Sequence, residues 1–197
     1  TLKSTIEEFT GLVYAQLENY SDETVIENLV NSVITLITKF ENSSSTYAQF
    51  LTNYSMKVFS LSPNKRLMHY KALFSTHHRI VQDHNLHQVM STFIIGYYHN
   101  ILSDYFSEQE KKPKLQYMMV FSLIAKSCGQ YIPTVMLDIA TQLLMEASNR
   151  NFVETGSLYF LSSILSYELS IVQSYLPFLR TVWLPINTAL FSMPLTP

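Results

Sequence analysis

A chain of 197 residues, 47% hydrophobic and 14% charged, with four glycines and one cysteine, has room for one domain with a sizeable core and lacks the cysteines of a disulfide framework. Its formal charge of −2 excludes a global basic field of the kind that steers proteins to nucleic acid. Charged residues fall well below the usual quarter, so the surface relies on Ser, Thr, Asn, Gln and Tyr or is partly covered by something else.

Apolar residues recur at helical spacing and are interrupted roughly every twenty residues by polar or proline-containing joints. A first helix is expected from Ser4, where Ser4-Thr5-Ile6-Glu7 has capping-box spacing and Ile6, Phe9, Val13 and Leu17 share a face. Ser21-Asp22 caps a second, whose Ile26, Leu29, Val30, Val33, Ile37 and Phe40 make the cleanest stripe in the chain. Beyond the Asn42-Ser43-Ser44-Ser45 joint, Tyr47, Phe50, Leu51, Tyr54 and Val58 mark a third. Ser62-Pro63 starts a fourth, running to about Gln82, because proline at the first helical position lacks only an N–H that has no partner there anyway.

A fifth helix is expected from Leu86 to Phe106, with Val89, Met90, Phe93, Tyr97 and Ile101 on one side, followed by a solvated turn over Glu108 to Lys112. Pro113 starts a sixth, Gly129 has the character of a left-handed cap behind Cys128, and Pro133 opens a seventh with Val135, Ile139 and Leu143 in line. An eighth is expected from about residue 152 to Tyr175, after which Pro177, Pro185 and Pro194 divide the tail. From Thr155 onward only Glu168 and Arg180 are charged, and a segment that apolar, with Trp183, Leu184 and Phe191, is expected to dock on the body or on the next piece of a longer chain.

The eight starts put each pair of helices in about forty residues, the period of helix-pair solenoids of the HEAT and armadillo kind. The expected fold is therefore all-α: about eight antiparallel helices over residues 1–197, a HEAT/armadillo-like helical-repeat array in preference to a compact helix bundle, alone or within a longer helical-repeat protein. The similarity is one of spacing. Neither the recurring Pro, Asp and Arg of a HEAT consensus nor the Trp, Gly, Tyr and Ala signature of tetratricopeptide repeats is present.

No membrane span is expected, because the run from Leu86 to Ser103 holds His87, Gln88, His99 and Asn100, and the run from Leu158 to Leu176 holds Glu168. With Lys3, Glu7 and Glu8 in the first turns no signal peptide is expected there, and with a single cysteine the expected setting is intracellular, cytoplasmic or nuclear. The sequons at Asn19, Asn42 and Asn53 read as accidents of an Asn- and Ser-rich chain.

Signs of catalysis are absent. No Gly-x-Ser-x-Gly or phosphate-cradling loop can be built from Gly11, Gly96, Gly129 and Gly156, and Cys128 reads as a buried structural thiol. The acidic pairs Glu7/Glu8 and Glu108/Glu110 read as solvated charge. All six histidines lie between His69 and His99, and His84 and His87 share a helical face beside Asp83. With no His-Glu-x-x-His and no cysteine pair, no metal and no cofactor is assigned; a histidine cluster at a helix junction is the plainer reading.

Two basic groups, Lys65, Arg66, Lys71 and Arg79 on the fourth helix and Lys111, Lys112 and Lys114 at the sixth, would contact phosphates if they formed one strip. Thirteen tyrosines and twelve phenylalanines suit an aromatic partner-binding face, with Tyr54, Tyr70, Tyr97, Tyr98 and Tyr117 as candidates. The expected function is a non-catalytic scaffold that joins other protein subunits in a multi-subunit assembly by taking a peptide or helix into a groove. The alternative is a nucleic-acid-contacting scaffold that uses the lysine-rich helices.

Overall fold

The computed structural model describes residues 2–41 and 43–149, and among these the chain forms seven α-helices and no strand. They are α1 (Leu2–Gln16), α2 (Glu23–Leu36), α3 (Ser44–Phe59), α4 (Pro63–Ile80), α5 (His84–Ser107), α6 (Lys111–Cys128) and α7 (Pro133–Asn149). The expected eighth helix and the proline-divided tail lie outside the described residues.

Most helix starts are set by local chemistry. Asp22, in an extended backbone conformation, accepts from the Thr24 N–H at 2.8 Å to cap α2, and Asp83 caps α5 in the same way through the Asn85 N–H at 2.7 Å. Ser43 caps α3 through the Thr46 N–H, while α4 opens on Pro63 with Ser62 making no side-chain cap bond. Before α6, the Glu108 carboxylate accepts from the N–H groups of Gln109 and Glu110, each at 2.8 Å, and so orders the turn expected to be merely solvated.

Two local expectations are corrected. Helix α1 is already under way at Leu2, which places Ser4 inside the helix and not at its cap. Gly129 adopts φ −54° and ψ −38°, a right-handed conformation, because the chain continues into a 3₁₀ turn over Gly129–Tyr131 and has no call for a left-handed cap. At the end of α2, a π-turn over Ile37–Glu41 extends the helix while keeping Ile37 fully buried.

The helices form two layers. Helices α2, α4 and α6 lie side by side in one layer, α1, α3, α5 and α7 follow one another in the other, and chain neighbours such as α1 and α2 or α5 and α6 join the layers. The even layer is the more closely packed. One continuous core fills the space between, with Ile26, Val30 and Val33 of α2, Phe50 and Leu51 of α3, Leu73 and Phe74 of α4, Met90 and Ile94 of α5, Phe121 and Ile124 of α6 and Ile139 of α7. Burying each such side chain contributes about 1.5–3 kcal/mol. No described helix is long and apolar enough to cross a membrane.

Candidate interaction groove and the buried polar clusters

On the odd layer, a furrow of about 320 Å³ lies between α3 and α5, lined by Ala48, Leu51 and Thr52 of α3 and Val89, Thr92, Phe93 and Tyr97 of α5. None of these side chains is charged. Ala48, Thr52 and Met56 succeed one another at i+4 along one face of α3, and Met56 is 61% exposed, an arrangement that leaves apolar surface open beside the furrow. Its far end is stiffened by aromatic packing: the Tyr97 ring lies 5.1 Å from Phe59, nearly parallel to it, and 4.7 Å from Phe93. A second furrow of about 280 Å³ runs between α1 and α3, past Thr10, Tyr14 and Phe50.

The apolar side of α5 is divided by this geometry. Met90 and Ile101 are buried, together with Leu86, Ile94, Leu102 and Tyr105, whereas Val89, Phe93 and Tyr97 are half-buried along the furrow. Helix α5 is apolar around more of its circumference than the core requires, and the surplus faces outward.

Of the five candidate tyrosines, Tyr97 lines the furrow, and half-buried Tyr98 donates to Asp138 of α7 at 2.8 Å. Tyr54, Tyr70 and Tyr117 are corrected to core residues, because each is 5% exposed or less and the first two have internal hydrogen-bond partners. Tyr54 shares a hydrogen bond of 2.7 Å with His69, and the Tyr70 hydroxyl donates to Asp104 at 3.3 Å. Burial drives the hydroxyl ionisation of all three far above its ordinary range.

The candidate basic strip is broken up by acidic partners. Arg66 grips Asp104 of α5 through both Nε and Nη2, and its Nη1 donates to the Leu61 carbonyl at 2.7 Å. Lys71 pairs with Glu23 and Arg79 with Glu27, both on α2. Lys114 is 2% exposed, bonded to Glu146 at 3.0 Å and seated over the Tyr105 ring. Lys65 is half-buried, and Lys111 and Lys112 are exposed at the start of α6. A phosphate would have to displace carboxylates to reach Arg66, Lys71, Arg79 or Lys114.

Where α4 ends, α5 begins and α6 ends, three side chains converge. His77 Nε2 lies 3.0 Å from His87 Nδ1 and 3.7 Å from Cys128 Sγ, and the three donor atoms all fall within 4.8 Å of one another. His77 and Cys128 are fully buried and His87 is half-buried. On its other edge, His77 Nδ1 shares a 2.7 Å hydrogen bond with the hydroxyl of buried Tyr47. Burial holds the His77 imidazole down to about 3 and lowers His87, while it pushes the Cys128 thiol up to about 12, so burial disfavours the charged form of each group. His84, the expected companion of His87, instead turns its Nδ1 to the Tyr131 hydroxyl at 2.8 Å.

Comparison with protein families, curated proteins and solved structures finds no match. Sequence alone placed Tyr97 among the partner-binding candidates without locating the furrow, and it grouped the histidines at a helix junction without joining Cys128 to them. A signal for the furrow was present in Val89, Phe93 and Tyr97, spaced i, i+4, i+8 alongside the buried stripe. The histidines of the cluster were visible as a group, but Cys128 was not, since it stands 51 residues from His77 and 41 from His87.

Proposed function

We propose that this chain is a non-catalytic scaffold built as a stacked array of helix pairs of the HEAT/armadillo kind, and that it binds another protein subunit through the furrow between α3 and α5. The observation that carries the reading is the uncharged apolar channel between two surface helices, with Met56 exposed beside it. An amphipathic helix is the occupant that suits it: a helix lays an apolar stripe into such a channel and keeps its polar face in water, with no charge required at the floor. The packing of odd helices on odd and even on even supports the stacked array, because each pair then buries its stripes against the next. Pairing of Arg66, Lys71, Arg79 and Lys114 with carboxylates favours a protein partner over nucleic acid. An intracellular multi-subunit assembly is the proposed setting.

The test places charge in the channel without touching the core. Thr52→Asp and Thr92→Asp alter exposed positions, and each should weaken stoichiometric partner capture at least tenfold while helicity and thermal stability hold. Capture indifferent to both substitutions would contradict the proposal.

A further inference from the structure

The geometry points to a zinc site at the junction of α4, α5 and α6, with His77 Nε2, His87 Nδ1 and Cys128 Sγ as its three protein ligands. Tetrahedral zinc with nitrogen arms of about 2.0–2.1 Å and a sulfur arm of about 2.3 Å sets its donors about 3.3 Å apart for N···N and about 3.6 Å apart for N···S. The chain already holds His77 Nε2 at 3.0 Å from His87 Nδ1 and 3.7 Å from Cys128 Sγ, with all three donor atoms within 4.8 Å of one another. A displacement of a few tenths of an ångström at half-buried His87 would open the first distance to the value the ion needs.

The surroundings favour the same ion. When Nε2 of His77 coordinates, Nδ1 carries the ring proton, and the Tyr47 oxygen 2.7 Å away is placed to accept it, which fixes tautomer and ring orientation. One thiolate and two neutral imidazoles suit a borderline-soft d¹⁰ cation better than magnesium or calcium, which require oxygen donors. Binding replaces the Cys128 S–H bond with an S–Zn bond and releases one proton to solvent, leaving the two histidines neutral and one net positive charge in the site. The Asp83 carboxylate, at the cap of α5, bears electrostatically on His87 and offsets part of that charge. Three protein ligands leave a fourth position for water or an exogenous donor. The ion would cross-link the ends of three helices drawn from both layers.

The test uses the full chain, reduced and stripped of metal, titrated with Co²⁺ and then Zn²⁺. The expected result is one Co²⁺ per chain with a thiolate-to-cobalt charge-transfer band and the intense visible bands of tetrahedral geometry, both displaced by Zn²⁺. Cys128→Ser should abolish the charge-transfer band, and His87→Gln, at a half-buried position, should weaken binding at least tenfold. Tyr47→Phe should weaken it by about 10–100-fold with all three ligands intact. A folded wild-type chain without the thiolate band, or a Cys128→Ser/His87→Gln double variant that binds Zn²⁺ as tightly as the wild type, would overturn the assignment.

Discussion

The Tyr54 hydroxyl lies 2.7 Å from His69 Nδ1, and two turns earlier on α3 the pairing recurs between Tyr47 and His77, also at 2.7 Å. Because α4 runs antiparallel to α3, His77 at its far end meets the start of α3 and His69 meets its later turns. The two rungs are buried, so they tie consecutive helices of different layers by polar contacts inside an otherwise apolar core.

Removing one member of a rung strands the other. Tyr54→Phe or His69→Leu alone should each cost about 1–3 kcal/mol, because a buried polar atom loses its partner. The Tyr54→Phe/His69→Leu pair should cost less than the sum, because neither buried group is then left without its partner. Urea denaturation of the four proteins of this cycle measures the coupling; strict additivity would contradict the rung.

Stability should fall on the acid side. Burial, with a smaller contribution from Lys65, holds His69 down to about 4, below its ordinary value of 6.5. The unfolded chain then takes up a proton first, so the stabilisation is complete above pH 6.5 and is lost as pH falls through 4. The full loss is on the order of 3 kcal/mol. Denaturation midpoints of wild type and His69→Leu between these limits test it: the wild type should lose stability more steeply, and parallel profiles would contradict the assignment.

The ion pairs should differ sharply in worth. Asp104→Ala leaves the Arg66 guanidinium partly buried without its bidentate partner and should cost about 3–5 kcal/mol. Arg79 and Glu27 have side chains 54% and 39% exposed, and Arg79→Ala should cost less than about 1 kcal/mol. Equal effects in thermal denaturation would show the first pair to be a surface contact in solution.

Gly96 sits in the interior of α5, exposed, and a Cβ built there meets nothing within 4 Å. Gly96→Ala should therefore stabilise the protein by about 0.5–1 kcal/mol through helix propensity alone. A lowered melting temperature would mean that α5 is not helical at this point.

Helix boundaries were legible because caps act over three or four residues: Asp22, Pro63 and Pro133 stand at or beside the observed starts. What the sequence hid depends on partners far along the chain. Tyr54, Tyr70, Arg66 and Lys114 look like surface or interface residues until His69, Asp104 and Glu146 are brought to them, across 15, 34, 38 and 32 residues respectively. Helix periodicity likewise could not divide the apolar residues of α5 between core and furrow, because they cover too wide an arc to mark one buried face.

Site-specific photo-crosslinking tests the scaffold account most directly. A photoreactive residue at Met56, beside the α3–α5 furrow, should crosslink in cells to one partner protein at a segment with helical apolar spacing, while the same group at exposed Lys126 of α6 should not. Crosslinks from Met56 confined to the chain itself, or the same products from both positions, would contradict it.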